Sequence, residues 1–120
     1  MKEKETSRNV RTINLEDGYP TVQEARKKLI ADLQAAKQSG VVAVKIIHGY
    51  GSSGVGGALR NEIRKSLIRR RKEKHIQLLV FGEQWSIFHP DSRTVMEACL
   101  ALKGDCDLEK WNRGISIALL

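Results

Sequence analysis

Residues 41–60 read VVAVKIIHGYGSSGVGGALR, and this stretch decides the fold. Its first seven residues are almost continuously hydrophobic and rich in β-branched side chains, which predicts a strand buried within a sheet. Five glycines then fall between positions 49 and 57, and a helical pattern follows them. A strand, a glycine-rich loop and a helix in this order place the loop at the carboxyl end of the strand, where α/β sheets bind ligands.

The flanking segments extend this unit in both directions. Apolar residues every four positions, at Leu59, Ile63 and Leu67, predict a helix from about Gly57 to Lys72. A third strand is expected at Ile76–Phe81, and a first strand at Val10–Leu15. Between strands one and two, the T-x-x-E spacing of a capping box at residues 21–24 predicts the start of another helix, which should end before Gly40. Its buried stripe is expected to comprise Val22, Ala25, Leu29, Leu33 and Ala36.

The C-terminal part adds a helix and a strand. We expect Asp91 to cap the helix and Gly104 to end it, and Ile115–Leu120 to form the last strand. The apolar side of this helix should carry Val95, Met96, Cys99 and Leu100. The order βαβαβ, helix, β predicts an α/β fold in which a small mixed sheet has helices packed on it. We expect residues 1–9 to form a disordered tail and residues 10–120 a single domain.

The charge balance favours a polyanionic partner. The 120 residues include 21 Lys and Arg against 14 Asp and Glu, for a net charge of +7. Between Arg60 and Lys74, eight basic residues minus two acidic ones leave +6, so nearly the whole excess lies in and after the second helix. No apolar run is long enough to cross a bilayer and no signal peptide is evident, so we expect no membrane partner and a cytoplasmic location.

The other chemically notable side chains favour structural roles. Cys99 and Cys106 have no partner pair for zinc, so we interpret both as reduced thiols. Neither His75 nor His89 has metal-ligand spacing, and no metal site is predicted. In an aromatic-poor domain, the tryptophans Trp85 and Trp111 are expected to be packing anchors.

The glycine loop has several interpretations. Glycines let successive amides converge on an anion beside the positive end of a helix, which favours phosphate, although a flexible loop without a ligand has the same composition. Residues 49–54 also fit the dinucleotide pattern G-x-G-x-x-G, but they follow the second strand and no acidic residue closes the next one. A Walker A loop needs Lys followed by Ser or Thr, whereas Gly57 and Ala58 follow Gly56.

The string IIHGYG at residues 46–51, followed by further glycines and Leu59-Arg60, resembles the signature of the small MutS-related, or Smr, domain. The helix start at residues 21–25, Gly40 and the last strand from Gly114 occur in the order typical of that family. The resemblance implies a mixed sheet with two helices, similar to the C-terminal domain of initiation factor 3. It also implies nucleic-acid binding, with endonuclease activity on DNA or RNA in some members. The helix predicted at residues 91–103 has no counterpart in the common domain.

One departure from the family's motif affects the expectation of cleavage but not that of binding. Nuclease members carry a Leu-Asp-x-His type motif after strand one, where this chain has Asn14 and Glu16 in place of the acid and the histidine. Asn14 is not a general base, so catalysis would depend on His48 with Glu16 or Asp17. The predicted catalytic set is therefore His48, Glu16 and Asp17. The predicted nucleic-acid-binding set is His48, Gly49, Tyr50, Gly51, Ser52, Ser53, Gly54, Arg60 and Arg64.

Three functions remain open at this level. The first is a nucleic-acid-binding domain that grips phosphates through the loop and the basic helix, on DNA or RNA. The second is an Smr-type endonuclease, whose cofactor is unknown and would be a divalent cation if a metal is used. The third is a module that docks on a ribosome or an acidic protein, which a cationic helix also suits. The sequence leaves the oligomeric state undetermined.

Overall fold

The computed structural model describes residues 9–50 and 56–120. Four strands form one sheet in the order β1 (Val10–Asn14), β2 (Ala43–Ile47), β4 (Ile115–Leu119) and β3 (Leu78–Phe81). Strand β1 pairs in parallel with β2, whereas β4 runs antiparallel to both of its neighbours. The predicted mixed α/β sheet is confirmed. The predicted disordered tail, apart from residue 9, lies outside the described residues.

Helices cover both faces of the sheet. Helices α1 (Val22–Gln38) and α2 (Gly56–Lys72) pack on one face, where Val44 and Ile46 of β2 join their buried stripes. Helix α3 (Pro90–Ala98) and a short 3-10 helix at Leu100–Gly104 pack on the other. The apolar residues of β2 therefore serve two cores, which explains why its sequence shows no polar and apolar alternation.

Helix α1 begins and ends where the sequence predicted. The Thr21 hydroxyl accepts a hydrogen bond from the Glu24 amide, and the Glu24 carboxylate accepts one from the Thr21 amide, so the capping box is complete. This contact holds the pKa of Glu24 below its usual value, because the Thr21 amide and hydroxyl favour the charged carboxylate. Gly40 has a φ of 77°, the left-handed conformation that ends a helix at low steric cost.

Helix α3 differs from its prediction. His89 occupies the N-cap position and Pro90 the first turn, so the expectation that Asp91 caps the helix is wrong. The helix ends at Ala98 instead of continuing to Gly104, because Cys99 adopts an extended conformation and the chain resumes as a 3-10 helix. Because of this change of helix type, the Leu100 side chain is exposed to solvent instead of lying on the apolar side of the helix. Val95, Met96 and Cys99 are buried as predicted.

A buried ion pair ties the C-terminal segment to the sheet. The Lys45 side chain points to the α3 face, and its Nζ lies 2.9 Å from Asp105 and also pairs with Asp107. Although burial alone would lower the pKa of Lys45, the two carboxylates raise it above its usual value, so the ammonium stays charged. Asp105 also accepts a hydrogen bond from Trp85 Nε1 at 3.0 Å. Residues 105–107 are therefore anchored to the middle of β2.

The tryptophans and cysteines divide by environment. Trp85 is buried, as predicted for a packing anchor, but the same prediction for Trp111 is wrong, because 69% of that residue is exposed. Cys99 is buried, Cys106 is exposed, and both are free, as expected. Burial raises the pKa of the Cys99 thiol. Within the described ranges, no helix is long and apolar enough to cross a membrane.

Gly82 provides a test of the contact between the end of β3 and the segment that leads into β4. A Cβ at this position would lie 1.7 Å from the Asn112 carbonyl oxygen and 2.7 Å from Ile115 Cγ1. We expect Gly82→Ala to lower the free energy of unfolding by about 3 kcal/mol, because the backbone contact has to open. The matched control is Gly104→Ala, where a Cβ meets nothing within 4 Å. Urea denaturation measures both variants, and equal stabilities would contradict the packing described.

Candidate nucleic-acid interface

Four segments meet at one edge of the sheet. The parallel strands β1, β2 and β3 all end there, so the edge carries Glu16, His48 and Glu83. The antiparallel strand β4 begins at the same edge, because Ile47 of β2 faces Ile115. The loop before β4 therefore joins three loops that follow strands. We call this surface the carboxyl edge.

Strands one and two are in close contact at the carboxyl edge. The carboxylate of Glu16 lies over the backbone of Gly49, where an added Cβ would fall 2.5 Å from Glu16 Oε2. Gly49 has a φ of 75°, a backbone conformation that favours glycine, and an added Cβ would also displace the flexible Glu16 side chain. The side chain of Asn14 accepts a hydrogen bond from the Glu16 amide and shapes this turn. Glu16 and Asp17 are both exposed.

His48 lies beneath the surface of the edge. Its exposed fraction is 0%, and its ring contacts the Gly49 carbonyl at 2.7 Å through Nδ1 and the Ser116 hydroxyl at 2.9 Å through Nε2. A carbonyl only accepts, so Nδ1 carries the proton and Nε2 accepts from Ser116. Burial, reinforced by the nearby charges of Arg64 and Arg60, lowers the pKa of His48 to about 4. At neutral pH the ring is uncharged and holds the loop backbone.

Arg64 is committed to neighbours inside the protein. Its guanidinium makes a bidentate pair with Glu83 at 2.7 and 2.8 Å, donates to the Arg113 carbonyl and lies 4.2 Å over the Phe81 ring. The hydrogen bonds from Arg64 hold the pKa of Glu83 below its usual value. The phosphate contact predicted for Arg64 stays a prediction, and it would require this pair to open.

Arg60 is better placed than Arg64 to contact a phosphate. It lies one turn before Arg64 on α2, close enough to His48 and Glu83 to influence their protonation. Among the described residues, no carboxylate lies within ion-pair distance of Arg60, and its Nε has no hydrogen-bond partner. Together with neutral His48, the two arginines and Glu83 give this cluster a net charge of +1. The uncompensated charge is that of Arg60.

Of the other binding residues predicted from the sequence, only Gly49 and Tyr50 are among those that the structure describes. Gly49 is buried and Tyr50 is 56% exposed at the carboxyl edge. The predicted contacts of Gly51, Ser52, Ser53 and Gly54 lie outside the described residues. Helix α2 begins at Gly56, directly after that segment, so its positive N-terminal dipole is located at the same edge.

The basic run at the end of α2 is remote from the carboxyl edge. Helix α2 has 17 residues, and at 1.5 Å per residue its two ends are roughly 24 Å apart. Arg69 and Arg70 line a groove of about 400 Å³ between α1 and α2, together with Arg26 and Lys37. The carboxyl edge and the basic run are therefore two separate surfaces that one helix connects, rather than one site.

Three residues of the carboxyl edge were not predicted from the sequence to belong to the site. Glu83 follows β3, and the rule that parallel strands end at a common edge could have found it. Ser116 is the single hydroxyl in an otherwise apolar strand, which was a signal for a buried partner. Gly114, whose carbonyl accepts hydrogen bonds from the amides of His48 and Gly49, had no signal, because it depends on how β4 is inserted.

Metal-ligating side chains are not clustered in the part of the chain that the structure describes. No group of three or more His, Cys, Asp or Glu side chains is placed to hold an ion. Asp105 and Asp107 are both engaged by Lys45. The chemistry of the edge therefore consists of one exposed carboxylate pair, a neutral histidine and cationic side chains.

Comparison with known proteins gives one match. The family model described as Smr domain matches residues 17–82, more than half of the chain. The match includes α1, β2, α2 and β3, and it stops before α3 and β4. Curated proteins and solved structures gave no match.

The burial of His48 predicts a loss of stability in acid. Between pH 6.5 and about 4 the unfolded chain binds a proton at His48 that the folded protein does not bind. Its contribution is therefore fully present above pH 6.5 and is lost as the pH falls, by ~3 kcal/mol at pH 4. NMR titration of the ring and urea denaturation at several pH values measure both effects.

The control for this prediction is His48→Gln, which has no ionisable group at this position. Titrations of the carboxylates, including that of Glu83, are common to both proteins and cancel in the difference between their stability curves. A ring that titrates at the ordinary histidine value of 6.5 would contradict the buried, neutral state.

Proposed function

The chain belongs to the Smr domain family, and we propose that it binds nucleic acid by gripping phosphates at the carboxyl edge of its sheet. The family supports a nucleic-acid-related role in general. The observation that carries the finer proposal is Arg60, whose charge has no carboxylate partner among the described residues. It lies at the start of α2, where a helix dipole and a guanidinium act on the same anion.

The distribution of charge supports an extended contact. The carboxyl edge provides Arg60, and the groove at the far end of α2 provides Arg69 and Arg70. A polyanion that follows α2 would contact both surfaces, whereas a single phosphate would contact one. The roughly 24 Å between the ends of the helix covers several phosphates of a nucleic-acid strand. Arg64 and His48 support the edge from below in this proposal.

The salt dependence of binding tests the phosphate grip. If about five phosphates are neutralised, a plot of log affinity for duplex DNA against log salt concentration should have a slope near −4.5. Arg60→Gln should weaken binding and bring the slope closer to zero by about 0.9, because one contact is removed. Fluorescence anisotropy with a labelled duplex measures the affinity at several salt concentrations.

Lys103→Gln is the matched control, because it removes one charge from an exposed residue on the opposite side of the sheet. Its slope and affinity should equal those of the wild type. Binding that does not depend on salt, or equal losses in the two variants, would refute a phosphate grip at Arg60. A stable complex with an acidic protein after nuclease treatment would instead favour the docking function.

A second candidate is phosphodiester hydrolysis at the same edge, which the position of Glu16 favours. Its carboxylate lies against Gly49, beside the loop proposed to hold the phosphate. Because His48 is buried and uncharged at neutral pH, Glu16 or Asp17 would have to activate the water or bind a divalent ion.

A nicking assay decides this candidate. Supercoiled plasmid and structured RNA are incubated with the wild type, Glu16→Ala and Asp17→Ala, with and without a chelator. Hydrolysis predicts that Glu16→Ala lowers the rate at least 100-fold, the usual share of a general base. Identical product patterns for the wild type and Glu16→Ala would exclude Glu16 as the base, and the phosphate grip would be unaffected.

A further inference from the structure

We propose that the cleft between Tyr50 and Trp111 stacks an unpaired nucleobase, so that the protein binds single-stranded nucleic acid in preference to duplex. This inference rests on the proposed nucleic-acid binding and names its substrate class. The cleft lies at the carboxyl edge, between the loop after β2 and the loop before β4, and has a volume of about 520 Å³. Its walls are Tyr50, Asp107, Lys110, Trp111, Asn112 and Arg113.

The aromatic walls of the cleft are exposed to solvent. Tyr50 is 56% and Trp111 69% exposed, although the chain contains only six aromatic residues of the Phe, Trp and Tyr types. Large aromatic side chains that converge on one opening leave apolar surface in water, which is typical of a ligand site. A nucleobase is a flat π-system, and its two faces suit such side chains whatever its sequence.

The charged residues of the cleft fit a nucleotide rather than an apolar ligand. Lys110 and Arg113 are exposed beside the aromatic residues and supply positive charge for the phosphates on either side of a stacked base. Asp107 pairs with Lys45, which also pairs with Asp105, and it accepts a hydrogen bond from Asn112. Lys45, Lys110 and Arg113 together outnumber Asp105 and Asp107 by one, so the cleft keeps a net charge of +1. Lys45 and Asn112 hold the pKa of Asp107 below its usual value in spite of its burial, so this ion pair persists at neutral pH.

The backbone that carries Trp111 is ordered by contacts of its neighbours before any ligand arrives. Trp111 and Glu109 have φ values of 56° and 67°, in a region that residues with side chains adopt only when their surroundings impose it. Glu109 and Asn112, on either side of Trp111 along the chain, make the hydrogen bonds that impose it. The Glu109 carboxylate accepts a hydrogen bond from the Ile87 amide at 2.6 Å, and Asn112 Oδ1 accepts one from the Gly114 amide at 2.8 Å. Ordering the loop therefore costs little on binding.

Tyr50 is positioned by the same loop before β4. A Cβ at Gly114 would lie 3.3 Å from Tyr50 Cδ1, so the ring packs against the glycine backbone. The Gly114 carbonyl also accepts hydrogen bonds from His48 and Gly49 at 2.9 and 3.0 Å, which fixes the backbone on which Tyr50 is carried. Both aromatic walls therefore depend on residues 109–114.

The preference for single-stranded over duplex nucleic acid follows from this geometry. Bases in a duplex are stacked on each other, and exposing one of their faces costs unpairing and unstacking energy. An unpaired base enters the cleft without that cost. The phosphate grip at Arg60 binds both forms, so single-strand preference should depend on the aromatic residues, while the salt dependence depends on the cations.

The test compares a labelled single-stranded oligonucleotide, its duplex, and the same strand with abasic sites, as DNA and as RNA. Trp111→Ala and Tyr50→Ala should each weaken single-strand binding by roughly 5- to 150-fold. Trp111→Ala should leave duplex affinity and the salt slope unchanged. Trp111→Phe and Tyr50→Phe should retain most of the affinity. The matched control is Phe88→Ala, an exposed aromatic residue outside the cleft that should bind like the wild type.

Tryptophan fluorescence gives a second readout. The chain has two tryptophans, and Trp85 is buried, so an added base should quench mainly Trp111. The intact single strand should quench the emission of the wild type, and the abasic strand should not. The signal that remains in Trp111→Phe comes from Trp85, and a blue-shifted emission, as expected of a buried tryptophan, shows that the variant is folded.

Two results would overturn the stacking cleft. One is that Trp111→Ala binds the single strand as tightly as the wild type, and the other is that the abasic strand binds as well as the intact one. In either case the salt dependence and the effect of Arg60→Gln would still support the phosphate grip. If the wild type binds no nucleic acid in any salt-dependent way, the proposed function and the cleft both fail.

Discussion

The insertion of β4 between β2 and β3 is the constraint on which the rest of the structure depends. Because β4 runs antiparallel to both neighbours, its first residues lie where the other three strands end. Its five residues are all buried, with Ala118 in the core under α1 and α2 and Ile115, Ile117 and Leu119 in the core under α3. Without this strand β3 would have no hydrogen-bonded partner in the described sheet, and the carboxyl edge would lose its fourth segment.

The same strand explains why polar groups at the edge divide into two classes. His48, Ser116, Arg64 and Glu83 bond to one another or to the backbone, with only Arg64 Nε left without a partner among the described residues, and together they support the loop after β2. Arg60, Glu16, Lys110 and Arg113 lie outside this network and remain available to a partner. A buried network is costly to leave half satisfied, so the first class contributes to folding and the second to binding.

Sequence patterns predicted the elements well where a local rule operates. The capping box at Thr21 and Glu24 and the stripes of α1 and α2 depend on neighbouring residues alone, and the structure confirms them, except that Val22 at the start of α1 is only partly buried. The prediction failed for α3, because His89 and Pro90 begin the helix before Asp91 and the turn at Cys99 depends on packing against the sheet. It also failed for Trp111, because the exposure of a loop residue depends on how the loop before β4 lies on the sheet, which no local pattern encodes.

The sequence by itself determined the α/β class, the family, the glycine-rich loop after β2 and the excess of positive charge in α2. Each of these follows from composition, or from residues close together along the chain. Only the tertiary structure decided which of those residues reach the surface. Burial made His48 a neutral support, and Glu83 engaged Arg64, while the antiparallel course of β4 brought Trp111 beside Tyr50. These outcomes depend on contacts between residues about 20 to 70 positions apart, such as Arg64 with Glu83 and His48 with Ser116, and a local pattern carries no information about such distances.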